Sequence, residues 1–239
     1  MSSTFYENYW DADARAMDGQ TWPELQCLLA DVLPDKGRVL DLGCGDGATA
    51  GTWIASNGYR HLGADISLAA LCRARQRGLR VLQVGSAHVL PFADHSFDAV
   101  VCIDVLEHLF EPDAAVAEAQ RVLRPRGVLV ATTPNIAYWR SRVKLGFGLF
   151  DPLGDPLTSK ETPWRDPHIR FFTAHSLRRM LEGVGFERVD VTGQQGSVLG
   201  NLPYVRKWWT PPSGGRFYKR LEQRFGNLLG YRIAAVARR

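Results

Sequence analysis

Long apolar runs are absent from this chain. Nothing in its 239 residues approaches the roughly 20 consecutive apolar residues that cross a bilayer, so no transmembrane helix is expected. Cysteine is sparse. Cys27, Cys44, Cys72 and Cys102 are widely spaced and form no CxxC pair, which excludes the usual zinc-ribbon and zinc-finger patterns and points to a reducing, cytoplasmic compartment. Charge of one sign is also lacking: 29 Lys and Arg against 25 Asp and Glu leave a net +4. With no long basic patch and no RNA-reading motif, nucleic acid is not expected as a partner. There is no internal repeat and no low-complexity tract. The opening, MSSTFYENYWDADARA, has no basic region followed by an apolar run, so no secretory signal is expected.

What is present is an ordinary globular composition, 45% hydrophobic and 23% charged. The length suits one α/β domain carrying insertions. The middle of the chain alternates strand-like and helix-like segments. Strands are expected at Arg38–Leu42, His61–Asp65, Arg80–Val84, Phe97–Ile103 and Val128–Thr132, and helices at Thr49–Asn57, Leu68–Arg77 and Pro112–Leu123. FDAVVCI (Phe97–Ile103) is too continuously apolar for a strand with one wet face. Arg124-Pro125-Arg126-Gly127 reads as a turn. Further on, Ala174–Gly183 reads as a helix, and Phe186–Thr192 and Tyr231–Ala237 as strands. Such alternation implies a mostly parallel sheet with helices on both faces. Residues 134–172 and 194–230 are irregular, and as insertions after strands five and six they are placed to form an acceptor cap.

The strongest local signal is VLDLGCGDGATA, in which a strand delivers Asp41 into a turn containing Gly43, Gly45 and Gly47. Alternating glycines at a strand-to-helix turn let the backbone approach a ligand closely. Two cofactors compete for such a loop. Gly43, Gly45 and Ala48 satisfy the dinucleotide pattern GxGxxA, with Asp65 placed for a ribose. Asp41 and Asp46, however, would flank a doubly charged pyrophosphate at a helix N-terminus that favours anions. S-adenosylmethionine, with its sulfonium, its ammonium and a single carboxylate, suits two acids better.

The segment LDLGCGDG resembles the first motif of the class I S-adenosylmethionine-dependent methyltransferases. The resemblance extends in order from Val39 to Pro134. GADIS places Asp65 and Ile66 where the family grips the ribose. Gly85-Ser86-Ala87, before LPF, is similar to the adenine-binding segment, with Ser86 where the family often has Asp. SFDAVVCIDVLEHL and RVLRPRGVLVATTPN resemble the fourth- and fifth-strand motifs. The resemblance implies a Rossmann-like seven-stranded sheet whose last strand is antiparallel. It also implies S-adenosylmethionine as cofactor, held by Asp41, Gly43, Gly45, Asp65, Ile66, Ser86, Ala87, Asp104 and Val105. A nucleotide-binding oxidoreductase, or a non-catalytic protein on this fold, are the alternative readings.

Methyl transfer needs alignment, and a hydroxyl acceptor also needs a base or a metal to take its proton. Asp104-Val105-Leu106-Glu107-His108 follows the fourth strand, and on a helix Asp104, Glu107 and His108 would share a face. The segment resembles the ExxEH of metal-dependent small-RNA ribose methyltransferases and ubiquinone-pathway O-methyltransferases, with Asp104 in place of the first Glu. His168, in HIRFFT, is the histidine that points back to the acceptor site in similar sequences. Glu107, His108 and His168 are therefore the candidate catalytic residues. The same three with Asp104 are candidate ligands for Mg²⁺ or Mn²⁺; structural hydrogen bonding is the alternative role for all of them.

Three stretches remain. Asn135, Tyr138, Trp139 and Arg142 either line an acceptor pocket or pack the first insertion down, in a segment that resembles methionine-biosynthesis-associated methyltransferase-like proteins of bacteria. Phe5, Tyr6, Tyr9 and Trp10 form either a lid over the cofactor or a docking strip. Phe217, Leu221, Phe225 and Leu228 make an apolar stripe near Trp208 and Trp209. It reads as a helix covering the sheet, with a membrane surface or lipid-linked acceptor as the alternative. The expected activity is methylation, at oxygen, of a small-molecule or carbohydrate-type acceptor; the sequence leaves the oligomeric state open.

Overall fold

A strand that is apolar at all but one position must be covered on both faces, and Phe97–Ile103 sits at the centre of the sheet. The computed structural model describes residues 6, 7, 10, 22–149, 168–194, 228 and 230–239. Its strands are β1 (Arg38–Leu42), β2 (Arg60–Asp65), β3 (Val81–Gln83), β4 (Phe97–Ile103), β5 (Leu123–Pro134), β6 (Arg188–Gln194) and β7 (Arg232–Arg238). The helices named among the described residues are α1 (Pro23–Val32), α2 (Gly51–Ser56), α3 (Leu68–Gln76), α4 (Pro112–Val122), α5 (Trp139–Gly146) and α6 (Ala174–Val184), with a 3-10 turn at Leu106–His108.

The seven strands lie in the order β3-β2-β1-β4-β5-β7-β6. The first five are parallel, and β7 runs antiparallel between β5 and β6. This is the seven-stranded Rossmann-like α/β sheet that the motifs imply. The order reverses between β1 and β4, so their carboxyl ends open a crevice at the switch point.

Strand alternation divides the core into two layers. Val39, Ala99, Val101, Ile103 and Val130 pack with Leu25 and Leu29 of α1, Leu33 just past its end and Ile54 of α2. Leu40, Leu42, Val100, Cys102 and Leu129 pack with Val116 and Ala119 of α4 and Leu177 and Leu181 of α6.

Helix ends carry recognisable chemistry. Pro23 and Pro112 occupy first-turn positions, and Ser67 caps α3 by accepting from the Ala70 N–H. Thr173 and Ser176 form a capping box on α6.

Several boundaries correct the sequence expectations. The expected turn at residues 124–127 lies inside β5, where the β4–β5 register shifts and Arg126 has φ 66°; the chain bulges and continues rather than reversing. The helix after Thr173 ends at Gly185, not Gly183, because Gly185 is the residue in the left-handed conformation, φ 111°. α2 begins at Gly51, two residues after its expected start, and β6 is shifted two residues later, to Arg188–Gln194. Residues 150–167 of the first insertion, 134–172, and most of the second, 194–230, lie outside the described residues, as does the stripe from Phe217 to Phe225 with Trp208 and Trp209. Among the described residues no helix is long and apolar enough to cross a membrane.

Candidate active site

The carboxyl ends of β1, β2 and β4 surround a cavity of about 590 Å³, in the size range of small-molecule sites, about 300–1,000 Å³. It reaches from the glycine loop to the two histidines. Every residue expected to hold a cofactor lines it: Asp41, Gly43, Gly45, Asp65, Ile66, Ser86, Ala87, Asp104 and Val105.

At the glycine end the backbone shapes the wall. Gly43 and Gly45 have φ of 71° and 53°, and a Cβ on either would collide with a neighbour, Val105 at Gly43 and the Trp10 ring at Gly45. Asp65 ends β2, and both of its oxygens accept from backbone: Oδ2 from the Gly45 N–H at 2.8 Å and Oδ1 from the Ser67 N–H at 2.9 Å. A carboxylate has about four acceptor positions, so these amides do not exhaust it. Burial raises its pKa, and the amide donors oppose that shift.

Asp41 is buried, with Oδ2 3.3 Å from His61 Nε2. His61 had no expected role; it comes from β2, the neighbouring strand, and holds Asp41 at the wall. Asp46 plays another part than the one the loop suggested. Oδ1 accepts from the Ala48 N–H, and Oδ2 pairs with Arg77 at 2.8 Å, so its charge is balanced within the fold. The argument against pyrophosphate therefore rests on Asp41. Ser86 Oγ accepts from the His88 N–H at 3.0 Å and retains a second lone pair.

At the far end the chain turns sharply after β4. Asp104 has φ 53°, a left-handed conformation that Asp tolerates better than most residues. Its Oδ1 accepts from the Thr132 hydroxyl and its Oδ2 from Arg232 Nε, each at 2.8 Å. The Arg232 guanidinium lies 4.0 Å from the Trp22 ring centroid. The expected helix is instead the tight turn Leu106–His108, and Asp104 lies outside it. The shared face of Asp104, Glu107 and His108 therefore does not form, and the metal role assigned to Asp104 is corrected: its partners are Thr132 and Arg232.

Glu107, His108 and His168 do come together, with ligand atoms within 4.8 Å of one another. His168 Nε2 is 3.8 Å from Glu107 Oε1, and the imidazole centroids are 4.8 Å apart. The Ile169 and Arg170 N–H groups both donate to the Glu107 carbonyl and pin His168 against the turn. Glu107 is 1% exposed, and among the described residues neither carboxyl oxygen has a hydrogen-bond partner. Burial, then the negative charge of Asp104, pushes its pKa well above the ordinary value. Burial also lowers the pKa of His168. The pair thus favours a neutral acid beside a neutral imidazole.

The first insertion resolves differently. Asn135 donates to the Gly230 carbonyl, buried Tyr138 packs edge-on against Tyr231, and Arg142 Nε donates to the Ala137 carbonyl. None of the four residues Asn135, Tyr138, Trp139 and Arg142 lines the cavity; they pack the segment down. Spacing gave no sign of Thr132, Arg232, Trp22 or His61, because each meets its partner across strands or a distant segment. The nearest hint was Arg232 in YRIAAVA, a charged residue opening an apolar strand.

Residues 40–131, from the end of β1 through β5, match the methyltransferase domain family model. That match covers the strands and loops that build the cofactor end. Over these residues the chain carries a methyltransferase domain, and its fold is that of class I S-adenosylmethionine-dependent methyltransferases. This methyltransferase domain is 36% identical over 156 residues to a probable S-adenosylmethionine-dependent methyltransferase of Mycolicibacterium smegmatis, covering 65% of this chain and 54% of the relative. It is 31% identical over 171 residues to a ubiquinone biosynthesis O-methyltransferase of Dinoroseobacter shibae, covering 67% and 64%. The chain thus spans about half to two thirds of the length of these relatives. Among solved structures, the cyclase SpnF aligns with TM-score 0.61 at 22% identity, over 100% of this chain and 97% of that one. Likeness at that identity is likeness of fold.

Proposed function

We propose that this domain transfers a methyl group from S-adenosylmethionine to a hydroxyl oxygen of a small-molecule or carbohydrate-type acceptor, with His168 as the base. The observation that carries this reading is the single cavity lined at one end by Gly43, Gly45 and Asp65 and at the other by Glu107, His108 and His168. The cofactor supplies an electrophilic methyl on a good leaving group. The chain's own work is to hold the acceptor in line and take its proton, and alignment of this kind is worth roughly 7–11 kcal/mol. As the acceptor's O–C bond forms, its hydroxyl proton passes to His168, whose lowered pKa keeps it neutral and ready to accept. Glu107, its proton retained by burial, stands 3.8 Å from His168 Nε2 and limits how the imidazole can turn. The ubiquinone-pathway relative, an O-methyltransferase by name, supports oxygen as the acceptor atom.

A second reading has one observation behind it. Three ligand atoms within 4.8 Å, two imidazoles and a carboxylate, fit a borderline divalent ion such as Mn²⁺ better than Mg²⁺. Such an ion would acidify the acceptor hydroxyl. One experiment serves both readings: incubate the protein with methyl-labelled S-adenosylmethionine and a panel of phenols and sugars, with and without EDTA. Label in an ether product that survives EDTA supports His168 as a simple base. Loss restored by Mn²⁺ supports the cation. Label on nitrogen or carbon alone refutes O-methylation.

A further inference from the structure

The mechanism leaves three aromatic and acidic residues at the start of the chain without a task, although two of them, Tyr6 and Trp10, line the cavity. Glu7 lies between these two and faces α3. Its Oε1 accepts from the Leu68 N–H at 2.6 Å, and its Oε2 accepts from the Ala69 N–H at 3.0 Å and from the Ser67 hydroxyl at 3.2 Å. α3 has no acidic residue in its own first turn, so the carboxylate at the positive end of that helix comes from some 60 residues away in sequence. The amide donors hold the Glu7 carboxyl below the usual glutamate value, and it remains ionised at neutral pH.

The two aromatics span the cavity. The Trp10 ring sits 2.6 Å from where a Cβ on Gly45 would lie, directly on the glycine loop. The ring also faces Arg73 of α3, with the guanidinium 5.9 Å from the ring centroid. Tyr6 meets His108 edge-on, with centroids 6.3 Å apart. The stretch that anchors Glu7 begins at Ser67, whose N–H also braces Asp65. One short segment therefore touches the glycine loop, the ribose-side acid's support and the histidine pair.

We propose that Tyr6 and Trp10 roof the cofactor site and that Glu7 is the positioning residue that latches this roof to the N-terminus of α3. A molecule leaving the cavity past Trp10 must first release that latch. The latch therefore acts on the lifetime of bound cofactor and product more than on the chemical step. The inference rests on S-adenosylmethionine as the ligand, and the closing experiment tests the two separately.

S-adenosylhomocysteine is titrated calorimetrically into the wild-type chain, Glu7→Gln, Glu7→Ala and Trp10→Ala, and its release is followed by stopped flow. Thermal unfolding without ligand is recorded in parallel. Loss of charge-assisted hydrogen bonds at a partly exposed site is expected to weaken binding by about tenfold in Glu7→Ala and less in Glu7→Gln, with most of the change in the off-rate. Trp10→Ala is expected to match Glu7→Ala. A lower unfolding temperature in Glu7→Ala with unchanged affinity and off-rate would reduce Glu7 to a helix cap and overturn the proposal. Unchanged binding in Trp10→Ala would overturn the roof. Failure of the wild-type chain to bind S-adenosylhomocysteine, with binding of NADH instead, would overturn the cofactor reading itself.

Discussion

The two ends of the cavity are built on different principles. The cofactor end is made largely of backbone: two glycines with positive φ, and amide donors that fix Asp65. Its residues come from the consecutive ends of β1, β2 and β3. The acceptor end is made of side chains gathered from far apart. Asp104 meets Arg232 across 128 positions, and Glu107 meets His168 through the last residues of the first insertion. A backbone site can be encoded in one contiguous stretch, because the turn itself is the ligand-binding surface. A side-chain site depends on the topology, because its members share no local geometry.

The largest effect separating the two ends is expected at His168. Replacing it with Ala should slow the chemical step by about 10²–10⁴-fold, the usual contribution of a positioned base, and leave S-adenosylhomocysteine affinity unchanged. The wild-type rate should fall as pH drops, but only below the ordinary imidazole value of about 6.5, because burial disfavours the imidazolium. That acid limb should vanish in His168→Ala. A variant that keeps the limb would move the base to His108.

At the other end, Asp65→Ala should cost about a hundredfold in S-adenosylhomocysteine affinity, roughly 3 kcal/mol. It removes charge-assisted bonds to the ribose and also frees the Gly45 and Ser67 N–H groups. Calorimetry measures it directly, and an unchanged affinity would detach Asp65 from the ribose.

The same division explains what could be read from the chain. LDLGCGDG, GADIS and FDAVVCI are local patterns, so the strands, the glycine loop and the candidate cofactor residues were legible in them, whereas the strand order comes from the topology. The positions of Glu107 and His108 were legible too, but the geometry around them was not. Sequence spacing assumes a helix after β4, whereas Asp104 adopts a left-handed backbone, and Thr132 and Arg232 take both of its oxygens. Asp46 misled for the opposite reason. Read as a free charge in the loop, it is balanced by Arg77, 31 residues away. A charge inferred from sequence has no partner until the fold supplies one.

The smallest expected effect is on stability, and it distinguishes a neutral Glu107 from one that holds a cation. The carboxyl is buried and its pKa is raised above the ordinary value of 4.5. In the unfolded chain it ionises near that ordinary value, while in the fold it keeps its proton. Between the two values the folded state binds more protons than the unfolded state, so its stability falls as pH rises. The contribution is complete below about pH 4.5 and is lost as pH climbs toward the folded value. Glu107→Gln keeps the shape and has nothing to ionise. The unfolding temperature of the variant relative to wild type should therefore increase with pH from about 4.5 upward, by a few degrees, where 2–4 °C corresponds to about 1 kcal/mol in a chain of this size. If Glu107 is instead an ionised metal ligand, the sign reverses. The variant would then be the less stable protein at neutral pH, and EDTA would lower the wild-type unfolding temperature without affecting Glu107→Gln.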